Sequence, residues 1–297
     1  IMNIDVLSFG RLGYRVFEEV GQDARVVLDD EGKNLVLRKI AGECEKDLKV
    51  FKGNLKKQGY ISEVKSVLSE FAQYGVDFER LDDFMKEVPP ESYLHYKLDD
   101  IRTIYEKFEE YLSEKYITKE EMLDVLSDAV PYSDILKGSV VAMDGFTGFT
   151  PVQNRLIGEL FSVCEKVMIT VTMDGRENPY VYEHPYQIFA LGKQMVTSLM
   201  KIAGEKKTEI EEPICLFERP VYRFRDCSEM AFLETELFRY SGAKYNGSCE
   251  SVSLHEVRSP GKEAKYVAES IRRLVRTKGY RYRDIAVIAS DMNVYAD

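Results

Sequence analysis

Two kinds of apolar spacing divide this chain. Across residues 25–132, apolar side chains recur at three and four: Leu35, Leu37 and Ile40; Leu48, Phe51 and Leu55; Ile61, Val64, Val67, Leu68 and Phe71; Leu98, Ile101, Ile104, Tyr105, Phe108 and Leu112. Each set traces one face of a helix, so the block predicts about five or six helices. Thr118 stands three residues before Glu121, a capping-box spacing that opens a helix through Met122, Leu123, Val125 and Leu126. Pro89 and Pro90 break the block before a helix over 93–112.

Outside the block the rhythm changes. Residues 3–9 alternate weakly and predict a short strand, followed by a helix over 11–20 that Gly21 ends. Val140, Val141, Ala142 and Met143 run without interruption into Asp144. A Gly/Thr/Phe turn then leads to Pro151, at a helix start, with Leu156, Ile157 and Leu160 on one face. Residues 166–173 are β-branched and apolar and predict a second buried strand ending at Asp174. Further on, the pattern predicts a helix over 187–203, a short strand at 214–217, a helix over 224–240, a strand at 252–257, a helix over 263–278 and a strand at 284–289. The last three, in β–α–β order, imply a parallel pair with a right-handed crossover. The fold class is therefore α/β, its parallel strands separated by a helical block.

At 297 residues the chain is long enough for two domains, or for one with a large insertion. No apolar run approaches the ~18 residues of a membrane span, and residues 1–21 lack a signal-peptide layout, so a cytoplasmic protein with no membrane partner is expected. Cys44, Cys164, Cys215, Cys227 and Cys249 show no C-x-x-C spacing and no nearby His pair, which predicts reduced, partly buried thiols and no metal site. His95, His184 and His255 lie far apart and read as surface or packing residues. The net charge of −10 makes any nucleic-acid contact a narrow one, or one shared with a partner, because local cationic patches grip phosphates whatever the mean. Lys46, Lys49, Lys52, Lys56 and Lys57 form a basic helix that either faces DNA or is solvated opposite an apolar stripe. Arg219, Arg223 and Arg225 make either a phosphate-contacting patch or ion pairs with Glu218 and Asp226. Arg272, Arg273 and Arg276 lie on the helix over 263–278.

Candidate chemistry centres on Asp144. A carboxylate that ends a buried parallel strand sits at the carboxyl edge of the sheet, where open α/β folds place ligands and nucleotide-binding folds keep a Mg²⁺-directed Asp. The next position, where ATP hydrolysis uses a second acid to orient water, is Gly145, whose hydrogen neither polarises water nor accepts its proton. No G-x-x-x-x-G-K-[ST] phosphate loop occurs; Gly32-Lys33 is followed by Asn34 and lacks the earlier glycine.

The string MDGFTGFTPVQ, Met143 to Gln153, resembles motif II of UvrD/RecB-type superfamily 1 helicases with its acidic pair degraded. Its wording is similar to the N-terminal helicase-like half of the AddB/RexB-type subunit, the B-type component of ATP-dependent helicase–nucleases. LSFGRL (Leu7 to Leu12) resembles that family's single-strand-contacting motif, KLDDIRTIYEKFEEYL (Lys97 to Leu112) its accessory helical domain, and GKEAKYVAESIRRLVRTKGYRYRDIAVI (Gly261 to Ile288) the start of its second RecA-like domain.

The resemblance implies a RecA-like parallel-sheet domain (1–22 and 138–249) interrupted by an all-helical accessory domain (23–137). The start of a second RecA-like domain would follow at 250–297. With no Met at position 1 and an unfinished second sheet, the chain is expected to be a piece of a longer protein. Asp144, Gly145, Gln153, Asp174 and Ser290 would be remnants of a nucleotide site. Thr172 and Asp174 would stand beside Asp144, and Ser290 would occupy the place of an Arg that clamps the γ-phosphate, a charge Ser cannot supply. Ser8, Phe9, Arg11, Phe146, Thr147 and Thr172 would line a DNA groove, aromatics stacking on bases and Arg pairing with phosphate. The bland alternative is a packed Phe9, Phe146 and Phe149 and a solvated Arg11.

The resemblance further implies a heterodimer with the A-type helicase–nuclease subunit, which supplies the motor, acting on single- and double-stranded DNA at double-strand breaks for recombinational repair. It implies no cofactor and no catalytic residue in this chain. ATP and Mg²⁺ belong at most to the full-length protein, and an iron–sulfur cluster lies far downstream. Three readings stay open: a non-hydrolysing DNA-binding scaffold, a working superfamily 1 ATPase cut before its phosphate loop, and a structural adaptor for the A-type partner.

Overall fold

The computed structural model describes residues 4–21, 26–55, 57–113, 115–218 and 221–295, which divide into two units, Ile1–Cys215 and Leu216–Asp297. The first unit holds two apolar cores. Helix α1 (Phe9–Val20) lies outside the first of them, which is built by four helices whose apolar stripes meet. These are α2 (Asp30–Glu43), α3 (Gln58–Tyr74), α4 (Phe78–Glu87) and α5 (Tyr93–Leu112), and they supply Leu37, Ile40, Ile61, Leu68, Leu81, Ile104, Phe108 and Leu112. Side-chain caps start three of these helices, with Asp29, Asp77 and Ser92 each accepting a backbone N–H of the first turn.

The block is not all-helical as expected. Two short strands, β1 (Val26–Leu28) and β2 (Tyr116–Thr118), pair in parallel with Val26 opposite Tyr116. They are β-branched or aromatic at most positions and bring the two ends of the block side by side. Nor do the described residues of 46–57 form a helix. Leu48, Phe51 and Leu55 are buried, as their spacing demands, but on a chain of turns. The buried carboxylate of Asp100 on α5 accepts the backbone N–H groups of Lys49, Val50 and Phe51 at 2.8, 2.7 and 2.8 Å, holding those amides outside any helical ladder. Lys56 lies outside the described residues.

The second core joins the start of the chain to its middle. Helix α1, capped by Ser8 and closed by Gly21 in the left-handed conformation (φ +69°), contributes Val16. Helix α6 (Glu121–Ala129) gives Leu126 and Ala129, strand β3 (Val140–Met143) gives Met143, α7 (Pro151–Val163) gives Leu156, Ile157 and Leu160, and α8 (Ala190–Lys206) gives Met195 and Leu199. Strand β4 (Lys166–Ile169) pairs with β3 in parallel. Thr118 and Glu121 form the reciprocal cap that their spacing predicts, with Thr118 N–H to Glu121 Oε2 at 2.7 Å and Glu121 N–H to Thr118 Oγ1 at 3.2 Å.

Several strand expectations fail. Residues 4–8 enter no ladder among the described residues, with Ile4 and Val6 exposed, and Asn3 lies outside the described residues. The strand expected over 166–173 stops at Ile169, and that expected at 214–217 does not form, leaving Ile214 and Leu216 exposed.

In the second unit α9 (Ser228–Glu236) is shorter than the helix expected over 224–240; Phe238 and Tyr240 beyond it take left-handed backbone. Helix α10 (Pro260–Lys278) forms, but residues 252–257 and 284–289 enter no ladder among the described residues, so the expected parallel pair is absent there. A strand holds only where a neighbour takes its N–H and C=O groups, and Leu254 and Ile288 stay 98% and 93% exposed. No apolar side chain of this unit is fully buried among the described residues. Its anchors are polar and aromatic: Glu229 accepts the N–H groups of Glu250 and Ser251, and His255 leans on Tyr266 at 4.8 Å.

Against the helical core, the half-buried carboxyl of Glu109 on α5 is pushed up to about 7, first by desolvation and then by the charge and hydrogen bond of Glu121. The folded state thus holds this proton more tightly than the unfolded chain does. Its penalty is absent at acid pH, grows as pH climbs from the ordinary carboxylate range through about 7, and is complete above that. Glu109→Gln is expected to raise the midpoint of thermal unfolding at about pH 8 and leave it nearly unchanged at about pH 4, so that circular-dichroism melts show a flatter pH profile than wild type.

Candidate functional site

The carboxyl edge of the β3–β4 pair is set by register. Met143 pairs with Ile169, so the next residues, Asp144 and Thr170, leave the sheet together. The Thr170 hydroxyl donates to Asp144 Oδ1 at 2.5 Å, and the Thr170 N–H donates to the Met143 carbonyl at 3.0 Å. Asp144 itself is exposed. The expected neighbours Thr172 and Asp174 follow β4, which ends at Ile169. Thr172 is an exposed loop residue, and Asp174 closes a turn in which its carboxylate accepts the Arg176 N–H at 2.8 Å and the guanidinium at 3.0 and 2.7 Å. Thr170 was not singled out by the sequence. Counting the parallel register from the paired ends of the two apolar runs is the signal that would have found it.

Gly145 is in the left-handed region at φ +80°, with open space around the position of a Cβ. The missing acid is therefore matched by a backbone that a side chain would strain. Gln153 is spent on structure: with Thr150 it closes the N-terminus of α7, its side-chain oxygen accepting the Thr150 N–H at 3.0 Å while its own N–H reaches Thr150 Oγ1 at 3.4 Å. Ser290 belongs to the second unit, on an exposed bend.

Beside the edge lies an aromatic cluster. Phe146 and Phe149, from the turn after Gly145, sit 4.9 Å apart, and Phe9, from the first residue of α1, is 5.7 Å from Phe146. All three are partly buried against the second core. The structure thus brings together Phe9 and Phe146, which are 137 positions apart. Ser8 caps α1 by accepting the Arg11 N–H at 3.4 Å, and Arg11 and Thr147 are exposed. Packing and a surface for bases are compatible here, because each ring spends only part of its area on the core.

The far end of α1 is fixed as firmly. Glu19 accepts the Ser133 hydroxyl at 2.5 Å and the Ile135 N–H at 2.8 Å. Arg223 is exposed, Arg225 lies over the Tyr222 ring at 4.3 Å and pairs with Asp226 at 3.4 Å, and Arg219 is outside the described residues, so local pairing is seen for Arg225. Burial pushes the thiols of Cys44 and Cys164 up.

The edge thus holds one exposed carboxylate, with one oxygen accepting the Thr170 hydroxyl, followed by a glycine in left-handed conformation where a second acid would be strained. Gly145→Glu is expected to destabilise the chain by about 1–2 kcal/mol, the cost of left-handed backbone for an L-residue. Gly148→Glu, at a position without positive φ and with equal room, is expected to cost less in the same urea titrations.

Residues 1–234 match the protein family described as "ADDB, N-terminal". Over its whole length the chain is 39% identical to a protein of Lachnoclostridium phytofermentans named as the B-type subunit of an ATP-dependent helicase/deoxyribonuclease, covering 26% of that relative. Proteins of the same name from Thermoanaerobacter sp. and Clostridium acetobutylicum are 35% and 32% identical over 99% of the chain, which covers 25% of each. The chain therefore spans about a quarter of the length of these relatives.

Proposed function

The chain belongs to the AddB N-terminal family, and from that premise we propose that it is the DNA-holding, non-hydrolysing part of the B-type subunit of an ATP-dependent helicase/deoxyribonuclease. The observation that carries this reading is the edge where Asp144 leaves β3. Aromatic rings from α1 and from the turn after Gly145 gather there, beside exposed Arg11 and Thr147, while the second acid is replaced by a glycine in left-handed conformation. Such an edge offers a single strand faces to stack on and a cation for its phosphates, and asks nothing of ATP.

On this reading the second core belongs to a RecA-like domain built from both sides of a helical excursion, and residues 250–297 begin another. Two separate apolar cores, with α1 in the later one, support that division. The working protein is a cytoplasmic heterodimer in which the A-type partner drives translocation, and this chain grips single-stranded DNA while breaks are processed for recombination.

Fluorescence anisotropy with labelled single strands tests the grip. Salt-dependent binding is expected, Phe9→Leu and Phe146→Leu are each expected to weaken it by about 1 kcal/mol or more while keeping apolar packing, and Arg11→Ala is expected to lower the salt slope by about 0.7. Binding that ignores all three substitutions, or no binding at all, would leave a structural adaptor for the motor partner in its place. In the same samples ATP is expected to persist; DNA-stimulated hydrolysis abolished by Asp144→Ala would overturn the non-hydrolysing part.

A further inference from the structure

Helix α10 concentrates positive charge in a chain whose net charge is −10. Between Arg258 and Arg283, nine Lys and Arg stand against two Glu. On the helix they are sorted. Val267, Ile271, Leu274 and Val275 are half-buried on one side, whereas Lys262, Lys265, Arg272, Arg273 and Arg276 are exposed and fall within a stripe about 100° wide, at the 100° per residue of an α-helix. Glu269 is the one acid in that stripe. Glu263 lies off it and accepts the Tyr295 hydroxyl at 3.1 Å. Among the described residues Arg272, Arg273 and Arg276 have no ion-pair partner.

Helix stability does not account for the stripe. Cations near the C-terminus complement the helix dipole, but Lys262 and Lys265 lie in the first turns, where the dipole disfavours them. The lysines of residues 46–57 make a useful contrast: Lys49 pairs with Asp99 at 2.9 Å and covers the Tyr96 ring, and Lys57 reaches Asn54 and the Tyr60 ring. Lys49 and Lys57 are thus partly occupied, whereas Arg272, Arg273 and Arg276 of α10 are free to meet an anion. A protein partner would be expected to bury apolar or aromatic anchors at the centre of its contact, and this face has none.

We infer that the basic face of α10 contacts the phosphate backbone of nucleic acid. From Lys262 to Arg276 the stripe runs about 21 Å, the axial length of about six nucleotides of one strand, with a cation on nearly every turn. Guanidinium groups suit phosphate oxygens in bidentate geometry, and the contact is independent of sequence. The inference takes from the proposed function only that this chain meets DNA; it does not need the aromatic edge.

Anisotropy of the 297-residue chain with a labelled single strand, and with the duplex of the same sequence, over a salt series tests it. The triple variant Arg272→Ala, Arg273→Ala, Arg276→Ala is expected to weaken binding about tenfold at low salt and to lower the single-strand salt slope by about 2. Its far-ultraviolet circular dichroism is expected to be unchanged, because exposed Arg→Ala changes favour helix. The triple Lys46→Ala, Lys52→Ala, Lys57→Ala is expected to stay within about twofold of wild type. The larger loss on one arm assigns the face to single or to double strands. Unchanged affinity in the α10 variant, or equal loss in both triples, overturns the inference. Loss in the Phe9→Leu and Phe146→Leu proteins with the α10 variant unaffected removes this contact alone, and the reverse removes the aromatic groove alone.

Discussion

The docking of α1 against the core of β3, α6, α7 and α8 is the constraint on which the rest of the first unit depends. It is made twice over. Phe9 meets Phe146 at the start of the helix, and Glu19 receives Ser133 and Ile135 near its end, with Val16 wholly buried between. These contacts close a loop of more than a hundred residues, and closure over such a length costs only slightly more entropy than over a shorter one. The helical block can therefore be large without loosening the core it interrupts, provided its own apolar faces are satisfied within it. They are: α2 to α5 pack on one another, and β1 and β2 pair where the block leaves and returns.

What this does for the sheet edge is positional. The two-stranded parallel ladder sets Asp144 and Thr170 side by side, the turn after Gly145 carries Phe146 onto the second core, and α1 delivers Phe9 to it. One oxygen of Asp144 accepts the Thr170 hydroxyl, the next position is a glycine on left-handed backbone, and the polar groups of Gln153 and Asp174 serve a helix cap and a turn. Arg11 and Thr147 are left exposed beside rings that spend part of their area on the core.

The long helices were legible because burial in them follows a single stripe, as in α3 and α5, and because their caps are local: Ser92, Asp77 and the Thr118–Glu121 pair act within a few residues. Where a distant residue decides, the pattern misled. Leu48, Phe51 and Leu55 keep helical spacing, yet Asp100, about fifty positions away, takes the amides that a helix would use. Strand expectations fared worst, since alternation says which side would be buried and nothing about whether a partner exists; Leu254 and Ile288 carry the pattern and remain exposed. At the site, Asp144 and its neighbouring glycine were readable from one apolar run, whereas Thr170 needed the register between two. The conformation of Gly145 and the meeting of Phe9 with Phe146 required three dimensions.

The central claim is that the edge beside Asp144 has kept a surface for single-stranded DNA without a hydrolytic one. Photocrosslinking a single strand carrying 5-iododeoxyuridine, followed by mass-spectrometric mapping of the modified peptides, tests it most directly. The account predicts crosslinks on the peptides that contain Phe9 and Phe146. Efficient crosslinking that leaves both peptides unmodified would contradict it.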